Sequence, residues 1–309
     1  MISPEPRNGD DRKMYYFHGG LKIKTYNDVF LEVRKRLREA GIEAFDIESR
    51  LIVIAASGKT KEHFFRDRHL YVPEDSFENA VDRLLERRIA GEPMAYILGE
   101  WDFYGLPVNV NHHVLIPRVD TEVLVDAVRD MFKDNYGGLR VLDMCAGSGC
   151  VGLAIAANLP FCRVLLADKS QEALKICRAN TMKNNLTRSV TSIELDALEA
   201  PPMLLGLFDI IVCNPPYITT DELRELDPSV REFEPTLALD GGPDGLKFYR
   251  SISSEWKSVL KANGYMAFEC GQGQADEVRR ILQQNGFTDI KIYKDSLNID
   301  RVIIGTLHN

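Results

Sequence analysis

Apolar residues follow a helical period in the first part of the chain. Within residues 25–91 they recur three or four positions apart, as Val29, Val33 and Leu37 do, and glycine or proline separates the segments. This spacing predicts a small helical domain over residues 25–91. Residues 1–24 carry no such pattern, and we expect them to form a flexible N-terminal extension.

The pattern changes over residues 92–118. There, EPMAYILGEWDFYGLPVNVNHHVLIP places aromatic and β-branched residues on both sides of the pair Tyr104 and Gly105, which predicts a β-hairpin that joins two domains. His112 and His113 are adjacent in this segment, and adjacent residues of a strand point to opposite faces. We therefore expect no metal ion to be shared between the two histidines.

Strand-like and helix-like segments alternate over residues 119–309. The strand-like segments are LRVLDM, CRVLLAD, VTSIELD, FDIIVC and YMAFEC, and two more close the chain. Such alternation predicts an α/β domain with a mostly parallel sheet and helices on both faces. Because ligands of these sheets bind at the carboxyl ends of the strands, candidate site residues are expected there.

Composition and charge limit the possible functions. A chain of 309 residues with 45% hydrophobic and 27% charged residues is typical of a soluble, two-domain protein. No segment has the ~18 consecutive apolar residues of a membrane span, and the N-terminus lacks the apolar stretch of a signal peptide. The six cysteines never have Cys-x-x-Cys spacing, so we expect reduced thiols in a cytoplasmic protein and no metal site.

The formal net charge of −8 is unevenly distributed. Residues 1–90 are close to charge balance, and residues 91–309 hold the acidic excess. A protein whose main task is to grip nucleic acid usually has a basic domain, because phosphate neutralisation dominates that affinity. We therefore expect no direct DNA binding.

The first strand of the predicted sheet ends in a glycine-rich turn, DMCAGSG, over residues 143–149. Gly147 and Gly149 allow the backbone to turn tightly and to approach a ligand closely. Neither a Walker loop nor a complete G-x-G-x-x-G motif is present, so phosphate binding is disfavoured. By itself, the turn is equally compatible with an ordinary helix start.

Acidic residues end the next two strands and strengthen the case for a ligand. Asp168 lies about 20 residues beyond the glycines, where a carboxylate holds the ribose hydroxyls of an adenosine group, and Asp196 ends the third strand. Together with the glycine turn, these acids favour a nucleoside ligand without phosphate. The candidate cofactor-binding residues are Asp143, Cys145, Ala146, Gly147, Ser148, Gly149, Asp168, Asp196, Ala197 and Asn214.

These residues and the Asn-Pro-Pro-Tyr segment that follows FDIIVC resemble class I, Rossmann-like methyltransferases that use S-adenosylmethionine to methylate a planar nitrogen. Further motifs resemble the HemK/PrmC family, from about Thr25 to the C-terminus. They are LIPRVDTE (115–122), EFEPTLALDGGPDGL (232–246), ECGQGQ (269–274) and DSLNIDR (295–301). Val119 stands where the family commonly has proline, and Asn298 where it commonly has glycine, which concerns the conformation of two loops.

The resemblance implies a methyl transfer from S-adenosylmethionine to the side-chain amide nitrogen (N5) of a glutamine, in the Gly-Gly-Gln motif of peptide-chain release factors. It also implies that residues 25–91 dock the substrate and that residues 119–309 form the catalytic domain. In the segment that precedes this domain's first helix, it implies a substrate loop containing Arg118, Thr121 and Glu122.

The segment Asn214, Pro215, Pro216 and Tyr217 is the expected catalytic loop. An amide nitrogen is a poor nucleophile because its lone pair is delocalised, so both of its hydrogens must be held. The Asn214 side-chain oxygen can accept one and the Pro215 carbonyl the other, while the prolines stiffen the loop. Tyr217 offers a flat face for a planar amide.

Three alternatives remain at this stage. Adenine N6 methyltransferases resemble the chain at the same four positions. Such an enzyme generally needs a separate recognition region and must extrude its base from the stack, and the short chain after Tyr217 leaves no room for that region. A related family methylates a glutamine of a ribosomal protein, and only the N-terminal domain could distinguish it. A module that binds the cofactor without turnover would require a damaged catalytic loop, and this loop is intact.

Overall fold

The computed structural model describes residues 24–72, 74–134 and 137–308. The chain divides into two compact units, Met1–Leu85 and Glu86–Asn309. No helix in the described ranges is both long and apolar enough to cross a membrane. The expected domain boundaries after residues 24, 91 and 118 remain predictions, and the expected N-terminal extension lies almost entirely outside the described residues.

The described part of the first unit is helical, as the periodicity predicts. Thr25 caps the first helix because its hydroxyl accepts a hydrogen bond from the Asp28 N–H at 3.2 Å, while the Asp28 carboxylate accepts one from the Thr25 N–H at 2.8 Å. Val29, Val33 and Leu37 form the buried face of this helix. The helices of this part of the chain are α1 (Tyr26–Glu39), α2 (Phe45–Ser57), α3 (Lys61–Asp67) and α4 (Glu74–Ile89).

The predicted hairpin lies near the start of the second unit. Helix α5 (Met94–Leu98) precedes strands β1 (Glu100–Phe103) and β2 (Leu106–Asn109), which pair antiparallel. Tyr104 and Gly105 connect them with φ of 52° and 76°, the left-handed geometry that suits a two-residue hairpin turn. The predicted hairpin and its turn are confirmed.

The expectation that His112 and His113 belong to a strand was wrong. Strand β2 ends at Asn109, and the two histidines lie on a turn with their ring centroids 4.0 Å apart. Asn111 shapes this turn, since its side-chain oxygen accepts a hydrogen bond from the His113 N–H at 3.0 Å.

A seven-stranded sheet forms the centre of the second unit, in the order β5-β4-β3-β6-β7-β9-β8. Six strands run in one direction, and β9 is antiparallel to both of its neighbours. The strands are β3 (Leu139–Met144), β4 (Cys162–Asp168), β5 (Val190–Glu194), β6 (Phe208–Cys213), β7 (Leu260–Glu269), β8 (Phe287–Lys294) and β9 (Asp300–Leu307). This confirms the predicted mostly parallel α/β sheet.

Helices cover both faces of the sheet, and the sheet divides the core into two layers of buried side chains. They are α6 (Glu122–Phe132), α7 (Cys150–Asn158), α8 (Gln171–Lys183), α10 (Lys247–Glu255) and α11 (Ala275–Gln284), while the short helix α9 (Pro228–Phe233), in the connection between β6 and α10, has no buried residue. All six cysteines are free, and five of them are buried. The chain reverses its direction of travel across the sheet at β3, because β4 and β5 lie on one side of this strand and β6 and β7 on the other.

Helix α7 packs against the sheet so closely that only glycine fits at its third position. A Cβ atom added at Gly152 would lie 2.4 Å from Leu166 Cδ2 and 2.9 Å from both Val164 Cγ1 and Asp143 Oδ2. Because these contacts are with side chains of β3 and β4 rather than with flexible surface groups, the helix would have to move away from the sheet.

We expect Gly152→Ala to lower the free energy of unfolding by ~1–3 kcal/mol through overpacking, even though alanine favours helix formation by about 1 kcal/mol. Urea denaturation measures this difference. Ala157→Ser, on the exposed side of the same helix, is the control and should change stability by no more than ~0.5 kcal/mol. Equal stability of Gly152→Ala and the wild type would contradict the tight packing.

Candidate active site

A cavity of about 500 Å³ lies at the carboxyl ends of β3, β4, β5 and β6. This is the point at which the strand order reverses, where open α/β sheets leave a crevice between neighbouring connections. Most of the residues predicted to bind cofactor contribute to its wall: Asp143, Cys145, Ala146, Gly147, Ser148, Asp168, Asp196, Ala197 and Asn214.

The glycine-rich turn forms the floor of this cavity. Cys145 and Gly147 have φ of 59° and 58°, so the chain turns back on itself immediately after β3. A Cβ atom at Gly147 would meet no atom within 4 Å, which means that its Cα borders open space. Gly149 is the exception among the predicted residues, because it caps α7 and faces Leu166 instead of lining the cavity.

Asp143 connects the glycine-rich turn to the helix that follows it. Its Oδ2 accepts a hydrogen bond from the Gly152 N–H at 2.8 Å and so connects β3 to the first turn of α7. The side chain is buried, and burial raises the pKa of its carboxyl to about 7. Although Asp143 borders the cavity, this hydrogen bond makes it primarily a support of the glycine turn.

Asp168 binds the backbone of the glycine-rich turn. Its Oδ2 accepts a hydrogen bond from the Gly147 N–H and its Oδ1 one from the Ser170 N–H, both at 2.8 Å. Burial raises the pKa of this carboxyl despite these hydrogen bonds. Each carboxylate oxygen can accept two hydrogen bonds, so both keep an acceptor position for ribose hydroxyls.

Asp196 also lines the cavity, and it forms an ion pair that we did not predict from the sequence. Lys169 Nζ donates to its Oδ2 at 2.7 Å, and the Leu198 N–H donates to its Oδ1 at 2.9 Å. Burial would raise the pKa of Asp196, but these hydrogen bonds outweigh burial and lower it. The only sequence signal for this pair was the cationic residue directly after Asp168.

The expected catalytic loop follows β6. Asn214 and Pro216 line the cavity, and Asn214 Nδ2 donates to Thr121 Oγ1 at 3.3 Å. Within the described residues, neither Asn214 Oδ1 nor the Pro215 carbonyl oxygen accepts a hydrogen bond. Asn214 therefore offers one of the two predicted acceptors at the cavity, whereas Pro215 is buried and does not line it.

Tyr217 does not line the cavity. Its ring approaches Gly271, where an added Cβ atom would lie 3.0 Å from Tyr217 Cδ2, and its carbonyl accepts a hydrogen bond from Gln274 Nε2 at 2.9 Å. Burial raises the pKa of the phenol to about 12. The Tyr217 ring, which we expected to offer a flat face to the substrate amide, therefore lies next to Gly271 and outside the cavity wall.

Two of the three residues of the predicted substrate loop line the cavity, and the third does not. Arg118 lines the cavity and forms an ion pair with the buried Glu234, which also accepts a hydrogen bond from the Ile116 N–H at 3.1 Å. Thr121 lines the cavity as well. Glu122 does not, because its carboxylate accepts a hydrogen bond from the Tyr104 N–H at 2.9 Å.

The two departures from the family pattern are compatible with the loops in which they occur. Val119 is exposed at the start of a short 3-10 helix, so its side chain is not confined. Asn298 has φ of 63°, a left-handed conformation that asparagine tolerates better than most residues other than glycine.

Glu269 is a candidate residue to which the sequence analysis assigned no role. It ends β7 and is 2% exposed, beside the catalytic loop. The rule that drew attention to Asp168 and Asp196 could have identified it, because it is another acidic residue at a strand end. Its position next to Asn214 follows from the pairing of β6 with β7, which the sequence order alone did not specify.

Comparison with known proteins identifies both parts of the chain. Residues 28–99 match the model of the PrmC N-terminal domain, and residues 119–226 match that of the methyltransferase small domain. The structure of the hMettl16 catalytic domain in complex with the MAT2A 3′UTR hairpin 6 has a TM-score of 0.54 and 16% identity, covering 67% of this chain and 77% of that one. That likeness shows the fold alone.

Closer relatives are proteins called release factor glutamine methyltransferase. The one from Thermodesulfovibrio yellowstonii is 42% identical over 75% of this chain and 83% of its own length. The one from Clostridium acetobutylicum is 37% identical over 92% of this chain and 98% of its own length. These matches confirm the predicted family and run through the helical part as well as the sheet. The chain therefore belongs to the release factor glutamine methyltransferase family.

Proposed function

We propose that this protein transfers a methyl group from S-adenosylmethionine to the side-chain amide nitrogen of the glutamine in the Gly-Gly-Gln motif of peptide-chain release factors. The observation that carries the proposal is the pair of unoccupied acceptors, Asn214 Oδ1 and the Pro215 carbonyl oxygen, beside a cavity of nucleoside size. Because release factors act in the cytoplasm, we place the enzyme there.

The cavity fits S-adenosylmethionine, which supplies a methyl group on a positively charged sulfur. Asp168 would hold the two ribose hydroxyls with the acceptor positions that its backbone hydrogen bonds leave free. Gly147 would border the ligand closely, since no side chain occupies the space above its Cα. Apolar side chains complete the wall on either side of Asp196, at Leu195, Leu198 and Phe248, where an adenine ring could pack.

The catalytic loop would hold the substrate amide. Asn214 Oδ1 and the Pro215 carbonyl would each accept one hydrogen of the –NH₂ group, which turns the nitrogen lone pair toward the cavity. The same two dipoles would stabilise the positive charge that develops on nitrogen as its bond to carbon forms. The methylated nitrogen is strongly acidic, so its surplus proton can pass to solvent without a side-chain base.

Residues 25–91 are the proposed docking domain for the release factor. Apolar side chains are exposed on the described part of the first unit, including Ile47 at 63% and Leu31 at 48%. Exposed apolar groups and a near-neutral charge suit a protein surface better than a polyanion.

Mass spectrometry tests the proposed activity directly. The wild-type enzyme, incubated with purified release factor and isotopically labelled S-adenosylmethionine, should add one labelled methyl group to the Gly-Gly-Gln glutamine. Parallel reactions contain ribosomes or nucleic acid in place of the release factor. Label on a glutamine of a ribosomal protein, with none on the release factor, would favour methylation of a ribosomal protein. Label on adenine of nucleic acid would reject a protein substrate.

We expect Asp168→Ala to weaken cofactor binding far more than it disturbs folding. The loss of charge-assisted hydrogen bonds costs ~1.5–3 kcal/mol, which is roughly a ten- to hundredfold increase in Kd. Calorimetry with S-adenosylmethionine measures the Kd, and thermal unfolding without ligand is the control. Asp168→Asn, which keeps one acceptor, should be less affected, and an unchanged Kd for Asp168→Ala would reject the assignment.

We expect Asn214→Ala to slow the chemical step about 10²-fold or more while the cofactor Kd changes little, because the substrate amide loses one of its acceptors. Asn214→Asp keeps an acceptor but places a negative charge near the sulfonium, so it should bind cofactor at least as well without full turnover. Single-turnover transfer to a release factor measures the rate. A near-normal rate for Asn214→Ala would leave the loop with no catalytic role.

Deletion of residues 1–90 should lower kcat/KM for the whole release factor but not for a short peptide that contains Gly-Gly-Gln. The reason is that only the whole factor presents a surface to the docking domain. Unchanged cofactor affinity of the truncated enzyme shows that its cavity is intact. Full kcat/KM toward the whole factor would refute docking by this domain.

A further inference from the structure

Glu269 and Asn214 are neighbours because of strand register. Strands β6 and β7 are parallel, and Cys213 is paired with Phe268. The next residue on each strand is therefore Asn214 on one side and Glu269 on the other. Glu269 does not line the cavity, so its buried carboxyl lies behind the catalytic loop and out of reach of the substrate.

A polar cluster connects the two side chains. Asn214 Nδ2 donates to Thr121 Oγ1 at 3.3 Å. Burial raises the pKa of Glu269 to about 7, while the neighbouring Thr121 and Asn214 side chains act in the opposite direction. In the described part of the chain, Glu269 Oε2 is buried and accepts no hydrogen bond. An acceptor in this state strongly favours any donor that can turn toward it.

The orientation of the Asn214 amide decides whether the site can work, since only Oδ1 can accept a substrate hydrogen. Thr121 alone cannot fix this orientation, because a hydroxyl donates as readily as it accepts. An ionised carboxylate can only accept. If the Thr121 hydroxyl donates to Glu269, its oxygen is left as an acceptor for Asn214 Nδ2.

We propose that Glu269 is a positioning residue that, through Thr121 and the Asn214 amide, keeps Asn214 Oδ1 directed into the cavity. This inference rests on the proposed methyl transfer to an amide. The flipped amide would place Oδ1 against Thr121 Oγ1, whose hydrogen is directed at Glu269, so that two acceptors would face each other without a hydrogen between them. In the buried surroundings of Glu269 that arrangement is costly, so the productive orientation is held before the substrate arrives.

The surroundings of Glu269 bear on its ionisation. The titratable and charged groups that face it are Asp120, Cys150, Tyr217, Tyr249, Cys270 and Arg301. Burial raises the pKa of each of these tyrosines and cysteines, so they stay neutral between pH 6 and 8. Arg301 is positive and forms ion pairs with Asp120 at 3.0 Å and with Asp295 at 2.8 Å.

A pH dependence follows from this arrangement. Below its pKa the Glu269 carboxyl is neutral and can donate a hydrogen to Thr121 Oγ1, which frees the Thr121 hydroxyl to donate to a flipped Asn214 Oδ1. Ionisation removes that donor. Glutamine at position 269 also has a donor at every pH, so Glu269→Gln reproduces the neutral acid.

A double-mutant cycle tests the proposal with the wild type, Glu269→Gln, Asn214→Asp and the variant that carries both changes. Single-turnover transfer to a release factor at saturating S-adenosylmethionine gives the rate. At pH 8 we expect Glu269→Gln to be roughly ten- to a hundredfold slower than the wild type, with a nearly unchanged cofactor Kd. In the Asn214→Asp background it should cause no loss, because an aspartate has two equivalent oxygens and no wrong orientation.

The ratio of the wild-type rate to the Glu269→Gln rate should also rise as the pH passes through about 7. Comparing rates as a ratio cancels the titration of other groups such as Asp143. Ser253→Ala is a matched control, because Ser253 Oγ is the other buried side-chain atom without a hydrogen-bond partner in the described residues. This control should leave the transfer rate unchanged.

Equal losses from Glu269→Gln in both backgrounds would show a merely structural role and overturn the proposal, as would a ratio that does not vary with pH. A wild type that fails to methylate the release factor would instead overturn the proposed function. Thermal unfolding of all variants verifies that the rates compare folded enzymes.

Discussion

The in-register parallel pairing of β4, β3, β6 and β7 is the constraint on which the site depends. Hydrogen bonding between these strands places their last residues side by side along one edge of the sheet. Asp168 and Glu269 end β4 and β7, Asp143 is the next-to-last residue of β3, and Asn214 directly follows β6, so all four lie along this edge although more than a hundred residues separate Asp168 from Glu269. The glycine turn then bends away from this edge and leaves room for a ligand among them.

This arrangement requires acidic groups to be buried where water is scarce. Burial raises the pKa of both Asp143 and Glu269 to about 7, so each carboxylate is less stable in the fold than in water. Such groups persist where their hydrogen bonds organise something else. Asp143 organises the start of α7, and Glu269 lies behind the catalytic loop, so the acidic residues at this edge are not interchangeable.

Much of the architecture could be predicted from local patterns. The helical period gave the first domain, alternation gave the parallel sheet, and the Tyr104-Gly105 turn gave the hairpin, because each signal is contained in a few neighbouring residues. The strand assignment of His112 and His113 failed because Asn111 initiates a turn directly after β2. The positions of the Tyr217 ring, Glu122 and Lys169 depend on side-chain packing between distant segments, which no local pattern encodes.

The position of β9 has a consequence for how the protein is made. This strand is inserted between β7 and β8, so residues 300–307 form an interior strand of the sheet. During synthesis β7 and β8 emerge first and must wait with unpaired edges until β9 has left the ribosome. Folding of the sheet therefore cannot finish while the nascent chain is still short of residue 307, and shielding of those edges by chaperones would matter most in that interval.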